Sequence, residues 1–351
     1  MNILFILGNG FDINLGLKTR YQDFYDVYSK NHSDHDLVMK LKNHISENTE
    51  GYWSDLELAL GEYTKEFKGI EDFDAVMEDI ILSLSKYLKD IQSNFNKSNI
   101  KSEKFFRDLD SPENYLTLEH KKQIIEFKGK FQNSSWTTSI VSFNYTNIVE
   151  QILEDTKDSD IGSHQISNQK IRHILNKRIQ HIHGYVDNKM ILGVNDLTQV
   201  ANSELHENLD IQESIVKSKC NEANGDDSIL NFKNKIEKAD LICAFGLSFG
   251  DSDKIWWEKI GERLESSNSH MIIFDRNKHI DNTLSYKNNR LRRNIRNHFL
   301  NQTKLPESVK NTISSRIYVG VNTDMFQKIV PKPEDIEVAK KFGNAKIGLV
   351  L

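Results

Sequence analysis

Cysteine is scarce in this 351-residue chain, with only Cys220 and Cys243. Two thiols cannot form a four-cysteine zinc module, and a disulfide framework is not expected from them. Proline is also rare, at four residues. No proline- or glycine-rich linker, low-complexity segment or internal repeat interrupts the chain. No apolar run approaches the ~20 residues that a membrane-spanning helix needs. An excess of basic charge is missing too: 46 Lys and Arg stand against 51 Asp and Glu, a net charge of -5. A general affinity for nucleic acid would favour the opposite balance. The first residues carry no secretory leader pattern. These absences give the expectation of a reducing, cytoplasmic setting, no membrane association and no metal. With 38% hydrophobic and 28% charged residues, the chain can bury a sizeable core in one large domain or two modest ones.

The most informative stretch is the first one. Ile3 to Leu7 is an uninterrupted apolar run, which reads as a strand buried on both faces of a parallel sheet. It stops at Gly8-Asn9-Gly10, and Phe11-Asp12 follow. Strand, glycine turn and helix in that order can hold a phosphate at the helix start, where N–H groups are free. The spacing is not the dinucleotide fingerprint, because position 13 is Ile13 and the third glycine waits until Gly16, before Leu17. Such a turn serves nucleotide binding in some folds and is a plain tight turn in others.

Helical periodicity follows. Tyr21, Phe24, Tyr25 and Tyr28 share one stripe, as do Trp53, Leu56, Leu60 and Tyr63. A longer stripe spans Phe73 to Phe95, and another helix covers about Leu118 to Phe131. Residues ~20–135 therefore read as a helical block inserted after the first strand, its aromatic stripes forming core. Asp55 and Glu57 read as a solvated helix face. Strands are then expected at Ser139–Phe143, Ile179–Ile182, Met190–Gly193, Leu241–Leu247, Met271–Phe274 and Arg316–Val321. Helices are expected at about 146–154, 208–220, 229–237, 253–264 and 283–299. This alternation predicts a three-layer α/β fold with a mostly parallel, Rossmann-like sheet. The tail from Pro331 is charged and ends apolar, as an added strand or a docking segment.

Open α/β sheets collect ligands at the carboxyl ends of their strands. Polar punctuation falls at those ends: Gly8-Asn9-Gly10, Asn144, His183, Asn195-Asp196, Gly246-Leu247-Ser248 and Asp275. Each alone is a common turn residue or cap; together they read as one pocket. His181 and His183, two apart on a strand, also form a candidate metal pair, for which no third ligand stands out.

Four ordered blocks carry a resemblance. Gly8-Asn9-Gly10-Phe11-Asp12 with Gly16-Leu17, Ser142-Phe143-Asn144-Tyr145-Thr146-Asn147 with Glu150, His181-Ile182-His183-Gly184, and Phe245-Gly246-Leu247-Ser248-Phe249-Gly250-Asp251-Ser252-Asp253 resemble the bacteriophage abortive infection AbiH family. A more distant likeness is to sirtuin-like NAD-consuming domains. Gly8, Gly10, Gly16 and Leu17 match the spacing of their first turn, Asn144 and His183-Gly184 match their Asn and His-Gly, and Gly246 with Ser248 match a later turn. Thr146 stands where that fold usually has Asp, Lys18 where it has Pro, and the zinc module of its deacylases is absent. The likeness implies a sirtuin-like α/β domain over 1–330 with a tail at 331–351. It implies NAD as substrate, Asn144 and His183 as catalytic residues, and nucleotide contacts from Gly8, Asn9, Gly10, Asp12, Gly246 and Ser248. Asp275 would accept from an adenosine ribose hydroxyl. NAD glycohydrolysis in phage defence, with a phage-derived trigger or partner protein and a homo-oligomer as further candidates, is the implied function. Two alternatives stand beside it. Arg293-Asn294-Ile295-Arg296-Asn297-His298 resembles the R-N-x-x-x-H pattern of HEPN ribonucleases, in which Arg stabilises the phosphate and His acts on the 2′-hydroxyl. The same pocket could instead serve a non-catalytic nucleotide sensor.

Overall fold

In the computed structural model the described residues are 1–49, 51–97, 100–154, 156–225, 227–276 and 285–327. The tail 331–351 and the expected helix start at Thr283 lie outside them. Seven strands form the sheet: β1 (Asn2–Leu7), β2 (Trp136–Ser142), β3 (Asp160–Ile166), β4 (Gln169–His181), β5 (Leu241–Phe245), β6 (His270–Asp275) and β7 (Ile317–Val321). Their order is β3-β4-β2-β1-β5-β6-β7. Every pairing is parallel except β3 with β4, a hairpin that the sequence did not reveal. The apolar opening run thus lies in the middle of the sheet. It pairs with β2 on one side, Leu7 opposite Ser142, and with β5 on the other, Leu7 opposite Phe245.

The helices are α1 (Gly10–Asn14), α2 (Tyr21–Tyr28), α3 (Asp36–Glu47), α4 (Leu56–Tyr63), α5 (Ile70–Ser93), α6 (Ser102–Asp110), α7 (Leu118–Gly129), α8 (Ile148–Leu153), α9 (Leu209–Ile215), α10 (Lys217–Ala223), α11 (Ser228–Lys238), α12 (Lys254–Ser266), α13 (Ser285–Gln302) and α14 (Glu307–Ile313). Side chains alternate across a strand, so β1 serves two layers. Ile3, Phe5 and Leu7 pack with Phe105, Leu109, Ile124 and Phe127 from α6 and α7. Leu4 and Ile6 pack on the other face with Phe232, Ile236, Trp256, Trp257 and Phe299 from α11, α12 and α13. A third cluster joins α2 to α5 with Tyr145 and with residues between Val186 and Val216.

The helices α2 to α7 all fall between β1 and β2; α6 and α7 cover the sheet while α2 to α5 form the separate cluster. Three expectations need correction. Met190–Gly193 is no strand: Ile191 to Gly193 are buried, but only the neighbouring Val194 makes a bridge, to Val216. Asn195 and Asp196 therefore close no strand; Asp196 caps the turn Leu197–Gln199 by accepting from the Thr198 N–H at 2.9 Å. The single helix expected over 208–220 is two, α9 and α10, broken at the extended residue Val216.

Candidate active site

The sheet changes direction at β1. The chain runs from β1 to β2 and β4 on one side, then crosses to β5 and β6 on the other. Ligands of open α/β sheets bind outside the strand carboxyl ends at such a switch point. A cavity of about 880 Å³ lies there, lined by Gly8, Asn144, His183, Gly246, Ser248 and Asp275 among others. The residues expected at the ends of β1, β2, β4, β5 and β6 thus share one cavity. Asn9, Gly10 and Asp12 line it as well.

The glycine turns have a different duty from the one their motif suggested. The Gly8 N–H donates to Phe245 O at 3.0 Å and the Gly10 N–H to Gly246 O at 2.9 Å. A Cβ on Gly10 would lie 2.4 Å from Gly246 Cα, and Gly246 itself has φ +66°. Glycine is needed because two turns press together, backbone on backbone. Neither of those N–H groups is left for a phosphate. The Asn9 side chain is occupied too, donating to Thr19 O at 2.8 Å and accepting from the Thr19 hydroxyl at 2.5 Å. Among the described residues, the N–H groups of Asn9, Leu247 and Ser248 meet no acceptor, and those residues line the cavity.

Two buried networks set the polar wall. In the first, Asp12 of α1 accepts from Asn144 Nδ2 at 3.0 Å and from the Thr146 hydroxyl at 2.5 Å. Burial pushes the Asp12 carboxyl up to about 6, against those two hydrogen bonds. His181 Nδ1 lies 3.0 Å from Asn144 O and Nε2 2.8 Å from Glu150 Oε1. Both its nitrogens are therefore engaged, and His181 braces the Asn144 backbone. No cluster of three or more His, Cys, Asp or Glu suited to a metal occurs among the described residues.

In the second network, Lys217 Nζ bridges Glu57 Oε2 at 2.7 Å and Asp253 Oδ1 at 2.8 Å. The Tyr145 hydroxyl lies 2.9 Å from Glu57 Oε1 and 2.8 Å from Ile191 O. His183 Nε2 sits 2.9 Å from Asp253 Oδ1, a pair that carries opposite charges only when the ring is protonated. Burial alone would raise the Asp253 carboxyl, but Lys217 and His183 outweigh it and hold it well below the usual range. Glu57 is buried and lines the cavity together with Asp55, so the solvated-face reading of these two acids is corrected. Asp55 caps α4, accepting from the Glu57 and Leu58 N–H groups.

Two unmet polar atoms stand out. Asn144 Oδ1 and His183 Nδ1 are buried without a hydrogen-bond partner, on the two residues expected to be catalytic. The remaining expected contacts are at the edge. Asp275 accepts from the Arg276 N–H at 2.7 Å, and burial raises its carboxyl. The exposed Arg276 is held by Asn14 Oδ1 at 2.8 Å and lines the cavity with Arg20. Arg293 and His298 both lie exposed on α13. Five residues apart on a helix of 3.6 per turn, they point about 140° from each other, and His298 Nε2 rests 3.0 Å from Ser248 O.

Sequence reading missed the roles of Glu57, Tyr145, Lys217 and Asp253. Tyr145 and Asp253 lie inside the motif blocks, so a signal was present. Lys217 had none, because its partner Glu57 is 160 positions away. Compared with known families, residues 4–275 match the model described as bacteriophage abortive infection AbiH. No curated protein matches the chain.

Proposed function

Because this chain belongs to the bacteriophage abortive infection AbiH family, we propose that it acts in phage defence by hydrolysing NAD to nicotinamide and ADP-ribose in the switch-point cavity. One observation carries the reading. Asn144 and His183, just past the ends of the neighbouring strands β2 and β4, reach the same cavity with a buried amide oxygen and a buried ring nitrogen unsatisfied. A buried polar atom without a partner costs about 1–3 kcal/mol, a cost that a bound substrate would remove.

The chemistry fits the wall. Breaking the ribose C1′–N bond sends its electron pair to the pyridinium nitrogen, so nicotinamide leaves neutral and needs no strong acid. Positive charge builds on the ribose as in other glycosyl transfers. Carboxylates at Asp12, Glu57 and Asp253 favour a cationic base and a cationic ribosyl group, while the exposed Arg20 and Arg276 suit the pyrophosphate. Asn144 would hold the ribose or the attacking water. His183, oriented by Asp253, would take the water's proton as the oxygen bonds to C1′, a role worth ~10²–10⁴-fold. The balance is NAD and water to nicotinamide, ADP-ribose and one proton.

The test is nicotinamide release by purified protein. Wild type is expected to release it, and Asn144→Ala and His183→Ala to lose at least about 10²-fold while keeping their melting temperatures. Release that survives in both variants would sink the assignment.

A further inference from the structure

The Asn144 amide has to be oriented before it can serve a ligand. An amide can present either its oxygen or its nitrogen, and nothing intrinsic chooses between them. Here the choice is made by a residue of α1, the helix that follows β1. Asp12 Oδ1 receives Asn144 Nδ2 at 3.0 Å, and Asp12 Oδ2 receives the Thr146 hydroxyl at 2.5 Å. An ionised carboxylate only accepts, so Nδ2 must face it. The second carboxylate oxygen is engaged by Thr146, which keeps Asp12 from turning away. Asn144 Oδ1 is the atom left over, buried and without a partner, on a residue that lines the cavity.

We infer that Asp12 is a positioning residue that fixes the Asn144 amide with its oxygen toward the ligand, so that the site selects a ligand offering a hydroxyl donor there, a ribose in preference to a 2′-deoxy sugar. This inference rests on the nucleotide reading of the cavity for its ligand class, but the lock itself does not. Thr146 is part of the same device: its hydroxyl engages the second oxygen of the Asp12 carboxylate. The groups facing Asp12 are Asn144 and Thr146 directly, with His181 and Glu150 beyond them. When Asp12 takes up a proton it becomes a donor as well as an acceptor, and the amide is free to turn.

Two measurements separate the lock from the ligand. In ¹⁵N-labelled protein without ligand, the Asn144 side-chain amide signal is identified by its loss in Asn144→Ala. It is expected to move with pH around a midpoint near 6, the range to which burial raises Asp12. It should stay flat in Asp12→Asn. A signal insensitive to pH in wild type overturns the lock, and this reading needs no Asp12 variant to fold. Calorimetry then compares NAD with its nicotinamide-side 2′-deoxy analogue on His183→Ala, which cannot turn NAD over. An about tenfold preference for NAD, the worth of one hydrogen bond, is expected and should vanish when Asp12→Asn is added. Equal affinities at the start overturn the selectivity. A titrating amide with no NAD binding leaves the lock standing and removes the nucleotide reading.

Discussion

Gly10 and Gly246 are in contact through their backbones, so a methyl group at either has nowhere to go. Gly10→Ala is expected to lose about 1–3 kcal/mol, seen as a lower thermal midpoint, and to lose ligand binding with it because the two turns line the cavity. An alanine variant as stable as wild type would show that the turns can separate. Lys217 presents the opposite case, a buried cation between two carboxylates. Lys217→Met removes the charge and keeps much of the volume, leaving Glu57 and Asp253 without their shared lysine cation. A loss of about 3–5 kcal/mol in chemical denaturation is expected. A loss under about 1 kcal/mol would mean that water already serves those acids. At this scale the sequence was readable where a place in the cavity follows from local position. Asn144 and His183 could be placed in its lining because each stands just past the end of a strand. Glu57 could not, because its burial depends on Lys217 and Tyr145 arriving from distant parts of the chain.

Between residues and molecule, the break between α9 and α10 is a working part. Val194 N–H donates to Ile215 O at 2.8 Å and accepts, through its carbonyl, the Lys217 N–H at 3.0 Å. That pairing holds Val216 extended and fixes the start of α10, from which Lys217 reaches the cavity wall. A Cβ on Gly193 would lie 2.0 Å from Ile215 O. Gly193→Ala should therefore disturb the break and reduce activity more than a surface change would, by at least about tenfold through a displaced Lys217. Unchanged kinetics would separate the break from the site. Periodicity alone could not show this break, since the apolar spacing continues across it; nor could it show that the apolar run 190–193 is covered by helices and not paired in a sheet. Strand β6 adds a pH effect. Burial lowers His270 to about 4 from an ordinary 6.5, where its ring stacks on Phe127 at 3.9 Å between centroids. The folded state then binds this proton less readily than the unfolded chain. Its contribution is present above pH 6.5 and is lost as pH falls from there toward 4. His270→Gln should flatten that part of the curve of thermal midpoint against pH, and an unchanged slope would place the effect elsewhere.

The whole molecule is organised by one crossing. Placing β1 in the middle, with β2 and β4 on one side and β5 and β6 on the other, gathers at one end residues as far apart as Gly8 and Asp275. The alternation of strands and helices made the α/β class readable from sequence. The strand order was not, because parallel neighbours are chosen by long-range packing and leave no mark between adjacent residues. A ligand that holds both halves of the sheet together should stabilise the fold by mass action, about 2.7 kcal/mol at one hundred times its dissociation constant. NAD at saturating concentration should therefore raise the thermal midpoint of His183→Ala, and no shift would argue against binding.

The most direct measurement is a crystal structure of His183→Ala soaked with NAD. Nicotinamide-ribose density is expected at the carboxyl ends of β2 and β4, with a ribose hydroxyl on Asn144 Oδ1 and the pyrophosphate toward the Leu247–Ser248 turn. Density for NAD anywhere else, or a cavity that stays empty at saturating NAD, would contradict that placement.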